Sequence, residues 1–300
     1  MQQALEKATA FVPGHITGFF SAHPAAEPAA AGSRGAGLAL SDGVRVTVAA
    51  GSGVSGVSLN GKSIEVDPVD RVLDTLGVRV AVEAETPLPL GAGFGVSGAL
   101  ALGTALAANA AAGSGRTENE LIEIAHCAEV EAGTGLGDVV AQARGGLPIR
   151  REPGGPTHGT MDGIPSAPRI EYVTFGELST EAVLSGDTSQ LSTAGEAALD
   201  RLLAEPTVDR FMRASQQFAT EAGLLTEDVR EAIAAVEDAG GQAAMAMLGR
   251  TVFALDGGLS EAGYDPAVCG VDAAGGRIVE TQVTPKSERF DAGAKHAYNE

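Results

Sequence analysis

Two stretches near the start of the chain place apolar residues on either side of tight-turn residues. Leu38 to Leu40 and Val44 to Val48 flank Ser41, Asp42 and Gly43, and a second apolar pair flanks Asn60 and Gly61. Both patterns predict antiparallel hairpins. The pattern changes at Asp67, which can cap a helix with Pro68 at its first position and Gly77 just past its end. Val78, Val80, Val82 and Ala84 then alternate as a strand, and Pro87 and Pro89 stop it. Val96 to Ala112 is a run rich in Ala and Leu, bounded by Gly113 and Gly115, and predicts a buried helix. Thr117 and Glu120 form a capping box for the next helix, and a further helical stretch lies near Asp138.

Four prolines and four glycines between Glu152 and Arg169 break any periodicity and predict an exposed connection. A domain boundary is placed there, dividing the chain into residues 1–160 and 161–300. Beyond it Ile170 to Phe175 reads as a strand, Thr180 to Asp238 as a helix-rich block, and Ala243 to Met247 and Val252 to Leu255 as short strands. The tail from Thr284 to Glu300 is polar and free to move, with Phe290 and Tyr298 able to dock.

Composition narrows the class. Three hundred residues with 44% hydrophobic content suit a large globular enzyme. The run from Val96 is interrupted by Ser97, Gly98, Gly103, Thr104 and Asn109 and is too short to span a bilayer comfortably. The N-terminal MQQALEKATAFVPGH lacks the apolar core of a signal peptide, so a cytoplasmic location is expected. Thirty-nine acids against twenty bases give a net charge of -19, which disfavours nucleic acid and anionic membranes as partners. Such self-repulsion is tolerable where salt shortens the screening length to about 3 Å, so a halophilic, high-salt cytoplasm is inferred. Cys127 and Cys269 have no Cys or His partner at metal spacing and read as buried thiols.

The candidate chemistry begins at GAGFGVSGA, residues 91 to 99. A strand, two prolines, a Gly-rich turn and a long helix point unpaired backbone N–H groups and a helix dipole at an anion. Gly93, Gly95 and Gly98 match the dinucleotide pattern GxGxxG, but a helix cap at Thr117 to Glu120 occupies the place of the acid that a dinucleotide fold needs. No lysine follows these glycines, which excludes the nucleotide triphosphatase loop, and no HRD or DFG occurs.

PLPLGAGFGVSGA, residues 87 to 99, instead resembles the second motif of the GHMP kinase superfamily, with Val96 in place of the first serine of its pair. EVEAGTGLGDVVAQARGG, residues 129 to 146, is similar to that superfamily's acid-bearing segment, and FVPGHITGFF, residues 11 to 20, is similar to the first motif in its archaeal pantoate kinase form. GGQAAMAMLGRTVFAL, residues 240 to 255, stands where the third motif falls, with Met245 and Met247 replacing glycines.

The resemblance implies an α+β, two-domain GHMP kinase fold: a ribosomal-protein-S5-domain-2-like N-terminal domain and a C-terminal α/β sandwich domain, with ATP between them. It implies that Pro89, Leu90, Gly91, Ala92, Gly93, Phe94, Gly95, Val96, Ser97 and Gly98 hold ATP. Ser97 and Glu129, with Glu131 as the alternative acid, would hold Mg2+, and Asp138 would act as base on the acceptor hydroxyl. His15 stands where the family carries lysine; it and Thr17 are expected to contact substrate. The implied reaction is phosphorylation of the small molecule pantoate to 4-phosphopantoate in coenzyme A biosynthesis. The alternatives are a homoserine- or mevalonate-type kinase and a non-catalytic nucleotide-binding relative. Pantoate carries a carboxylate, for which Arg144 is the candidate cation. A homodimer is compatible with the sequence and is not fixed by it.

Overall fold

A computed structural model describes residues 7–49, 56–176 and 188–282. The start of the helix-rich block and the polar tail from Thr284, with Phe290 and Tyr298, lie outside the described residues. Two long antiparallel strands, β1 (Lys7–His23) and β2 (Gly32–Ala49), form the spine of the first sheet. β3 (Gly56–Leu59), β4 (Lys62–Ile64) and β5 (Ala81–Glu85) extend it beyond β2, with β3 and β5 parallel. β6 (Leu147–Glu152) pairs with β2 and carries β7 (Thr160–Ile164). The opposite edge is completed by β12 (Arg277–Gln282), which pairs with β1 from far along the chain.

The helices α1 (Asp67–Leu76), α2 (Val96–Ala112), α3 (Glu118–Ala132) and α4 (Asp138–Arg144) form one packed group, in which α2 lies against β1 and β2 and touches the other three. The second sheet, in the order β11 (Ala267–Cys269), β8 (Ile170–Thr174), β10 (Thr251–Leu255), β9 (Ala243–Ala246), is wholly antiparallel. α5 (Ser189–Ala204) lies against β1, β2 and α6 (Val208–Glu221), and the second sheet packs with α6, α7 (Glu227–Asp238) and the short α8 (Gly258–Glu261). Both α5 and α6 also reach β1, so β1 is covered by α2 and by the second helical layer. Such a strand is buried continuously rather than alternately, as Ala8 to Phe20 is apart from the half-buried Phe11.

Local signals place most elements well. The Thr117–Glu120 capping box forms, and Asn60 and Gly61 both take positive φ, 50° and 76°, as the turn of the β3–β4 hairpin. Three expectations need correction. Asp67 is inside the first turn of α1 and pairs with Arg71 at 2.9 Å, while Val66 holds the cap position without a side-chain bond. Ser41 to Gly43 do not turn the chain: Gly43 faces Pro13 and Ala39 faces His15, so Leu40 to Asp42 bulge out of a continuous β2 opposite Gly14. The stretch after Glu152 contains β7, whose Gly163 leaves room for the Arg144 guanidinium; a Cβ there would stand 2.5 Å from it.

Candidate active site

The Gly-rich segment crosses from β5 to α2 and forms one wall of a cleft of about 740 Å³, part of it open to solvent. Leu90, Gly91 and the residues from Gly93 to Gly98 line it, whereas Pro89 is exposed outside and Ala92 is buried behind. Gly95 holds the cap position of α2 with φ 61°, so the first amides of that helix have no side-chain cap and point at the cleft. A Cβ on Gly95 would meet Gln142 Nε2 at 3.0 Å and Asp138 Cβ and Cγ at 3.2 Å, which shows how closely α4 approaches the loop. The loop is anchored from three sides. The His15 amide donates to Phe94 O at 2.9 Å, the Gln142 amide to Gly95 O at 2.8 Å, and the Thr251 hydroxyl to Ala92 O at 2.7 Å.

Ser97, in the first turn of α2, donates its hydroxyl to Glu129 Oε1 at 2.6 Å. Burial pushes the Glu129 carboxyl up to about 7 against the opposing bonds from Ser97 and Thr134, and the Asp138 charge adds to the rise. Asp138 opens α4 and is also deeply set, yet its carboxyl lies below the ordinary value. Burial would raise it; the hydrogen bond to His15 Nδ1 at 2.7 Å, the Arg150 charge and the Thr17 hydroxyl at 3.4 Å prevail. Two carboxyls of one cleft are thus shifted in opposite directions, Glu129 upward by burial and Asp138 downward by its donors and the nearby charge.

Arg150, on β6, is 2% exposed and lines the cleft. Its Nε and Nη1 have no hydrogen-bond partner, and burial lowers it to about 10, which leaves it cationic at neutral pH. Gly137, just before Asp138, is the residue that lets it in: a Cβ there would meet Arg150 Nε at 2.7 Å and Ser33 Oγ at 2.3 Å. A buried guanidinium with unused donors beside a carboxylate has the chemistry to receive an anionic group of a ligand.

The structure brings together the Gly-rich loop, Ser97, Glu129, Asp138 and Thr17. His15 is fully buried behind Asp138 and does not line the cleft, which corrects its expected substrate contact. Arg144 also lies elsewhere: it borders a separate surface depression with Glu118 and Met161 and donates to Gly145 O. Arg150, and not Arg144, is the arginine that lines the cleft. Glu131 pairs with Arg71 on the surface at 2.9 Å and is not part of the cleft. In the third motif, Met245 is buried and Met247 lines the cleft. Gly249 is the glycine of that segment that approaches the loop most closely, since a Cβ on it would stand 2.1 Å from Ala92 O.

A family profile described as "GHMP kinases N terminal domain" matches residues 66–146. The pantoate kinase of Methanocaldococcus jannaschii is 33% identical over 82% of this chain and 91% of its own length. That of Thermococcus kodakarensis is 37% identical over 82% and 86%. A solved structure titled "Phosphotransferase related to CoA biosynthesis pathway" superposes with a TM-score of 0.81 at 31% identity, covering 91% of this chain and 98% of that one. A homoserine kinase from Cytophaga hutchinsonii, at 18% identity and a TM-score of 0.67, shares the fold. With motifs, cleft and relatives in agreement, this chain belongs to the pantoate kinases of the GHMP kinase family.

Proposed function

We propose that this protein transfers the γ-phosphoryl group of ATP to the primary hydroxyl of pantoate, giving 4-phosphopantoate for coenzyme A synthesis. One observation carries the choice of acceptor: the unpartnered Arg150 guanidinium and the Asp138 carboxylate share a cleft with the phosphate loop. A substrate bearing both a carboxylate and a hydroxyl satisfies both. Arg150 binds the carboxylate and Asp138 accepts the hydroxyl proton as the oxygen attacks. The loop amides and the α2 dipole hold the nucleotide phosphates.

Ser97 and Glu129 fit a hard divalent cation such as Mg2+, offering a hydroxyl and a carboxylate 2.6 Å apart. No cluster of three or more metal-ligating side chains occurs among the described residues, which suits an ion that keeps waters and phosphate oxygens as most of its ligands. When bound, it would neutralise charge on the phosphates. The division of the chain near residue 160 belongs to the same reading, since the first sheet ends with β7 (Thr160–Ile164) and the second begins at β8, with β12 alone returning to the first. Among the described residues no helix is long and apolar enough to cross a membrane, and the reading is of a cytoplasmic enzyme.

The test is nucleotide consumption with pantoate, homoserine and mevalonate in parallel. Turnover is expected with pantoate, and Asp138→Asn should reduce kcat by about 10² to 10⁴. Arg150→Met should raise the KM for pantoate by about 10- to 100-fold, the loss of a charged hydrogen bond, with the KM for ATP little changed. Preference for homoserine, which carries an amine, or no turnover with any alcohol, would reject the assignment.

A further inference from the structure

The His15 ring is completely buried, yet one nitrogen faces the catalytic carboxylate and the other faces no partner. Nδ1 stands 2.7 Å from Asp138 Oδ1, and Nε2 has no hydrogen-bond partner. Gly37 on β2 makes the space for that second edge: a Cβ there would meet Nε2 at 2.2 Å and Cε1 at 2.7 Å. The backbone of the same residue donates to Phe94 O in the phosphate loop at 2.9 Å. One residue therefore touches both halves of the reaction, the phosphate cradle through its amide and the base through its ring.

We infer that His15 is a positioning residue that acts as a neutral hydrogen-bond donor, its Nδ1–H fixing the orientation and ionisation of Asp138 while its amide fixes the loop. This rests on Asp138 being the proton acceptor proposed above. The carboxylate can only accept, so the proton of the pair belongs to Nδ1. A second proton on Nε2 would be a buried donor against Gly37 with nothing to receive it. The charged groups around the pair are Asp138 on α4, Arg150 on β6 and Glu129 on α3, and the Arg150 charge disfavours an imidazolium.

The Thr17 hydroxyl, 3.3 Å from Nδ1 and 3.4 Å from Asp138 Oδ1, lies on the cleft side of the contact. Its position leaves the carboxylate open toward substrate while the ring closes the rear. Asp138 is thereby held as an oriented anion without a counter-cation on that side, so it keeps enough basicity to receive the hydroxyl proton.

The experiment compares His15→Leu, which fills similar volume without a donor, with His15→Asn, whose amide nitrogen falls near the place of Nδ1. In His15→Leu, kcat for pantoate should fall about 10- to 100-fold, with the KM for ATP nearly unchanged. The acid limb of its pH–kcat profile should move about one pH unit upward, because Asp138 loses the bond that favours its anion. His15→Asn should restore most of kcat and the original limb. Nitrogen NMR of the wild-type ring should show Nδ1 protonated and Nε2 bare between about pH 6 and 8. An unmoved acid limb, equal losses in both variants, or an imidazolium ring at neutral pH would each overturn the inference. Should both variants fail to fold, the wild-type NMR signal still decides on the donor. Wild-type protein that ignores pantoate would reject the functional reading, while the NMR result would still report on the His15–Asp138 bond.

Discussion

Glu129 and Asp138 line one cleft and depart from the ordinary carboxyl value in opposite directions, because burial prevails at Glu129 and the surrounding donors and charge prevail at Asp138. The Glu129 carboxyl is pushed up to about 7, whereas Asp138 stays an anion. A folded value raised above the unfolded one means that the metal-free protein binds an extra proton through the interval between the usual carboxylate range and about 7. Its stability should accordingly fall as pH rises across that interval. Mg2+ binding runs the other way, because only the deprotonated carboxylate ligates. Calorimetry with a non-hydrolysable ATP analogue should find Mg2+ affinity increasing from about pH 6 to 8, with proton release, and Glu129→Gln should abolish the pH dependence. A flat profile in the wild type would remove Glu129 from the metal site. Ser97, Glu129 and Asp138 were legible because each sits in a local motif. Arg150 was not: it follows Leu147, Pro148 and Ile149, buried residues without alternation, and nothing in one sequence marks its guanidinium as unpartnered.

The brace between the two sheets operates at the level of elements. The turn after β9 presses Gly249 against Ala92, and Thr251 at the start of β10 donates to the same carbonyl. A methyl at Gly249 meets backbone rather than a flexible side-chain tip, so the phosphate loop has to move. Gly249→Ala should therefore cost at least about 2 kcal/mol in denaturant unfolding and raise the KM for ATP more than that for pantoate. Equal stability and unchanged KM values would show that the loop is not set from this side. The helices were read well because their signals are local, as with the Thr117 box or the Gly77 and Gly113 ends. The β2 bulge was misread as a hairpin because Ser41-Asp42-Gly43 has the same composition either way. Only the pairing of both flanks with β1 separates the two.

At the scale of the whole molecule, the charge of -19 is spread over a surface with scattered Arg–carboxylate pairs, such as Arg71–Asp67 and Arg201–Glu221. Exposed pairs of this kind are weak, so they do not offset the repulsion among unpaired acids. The melting temperature should rise between about 0.1 M and 1 M KCl as that repulsion is screened, and thermal unfolding across a salt series checks it. A salt-indifferent Tm would separate the composition from any halophilic habit. The α+β class and the two sheets followed from the family resemblance of the sequence, but β12 did not, since its residues show no alternation and five of its six are exposed. That edge has a consequence for synthesis. β1 precedes every other described strand in the chain, and its outer neighbour β12 follows them all. A nascent chain must carry β1 with one bare edge until the strands of both sheets have been made, so the layer begun first is sealed last.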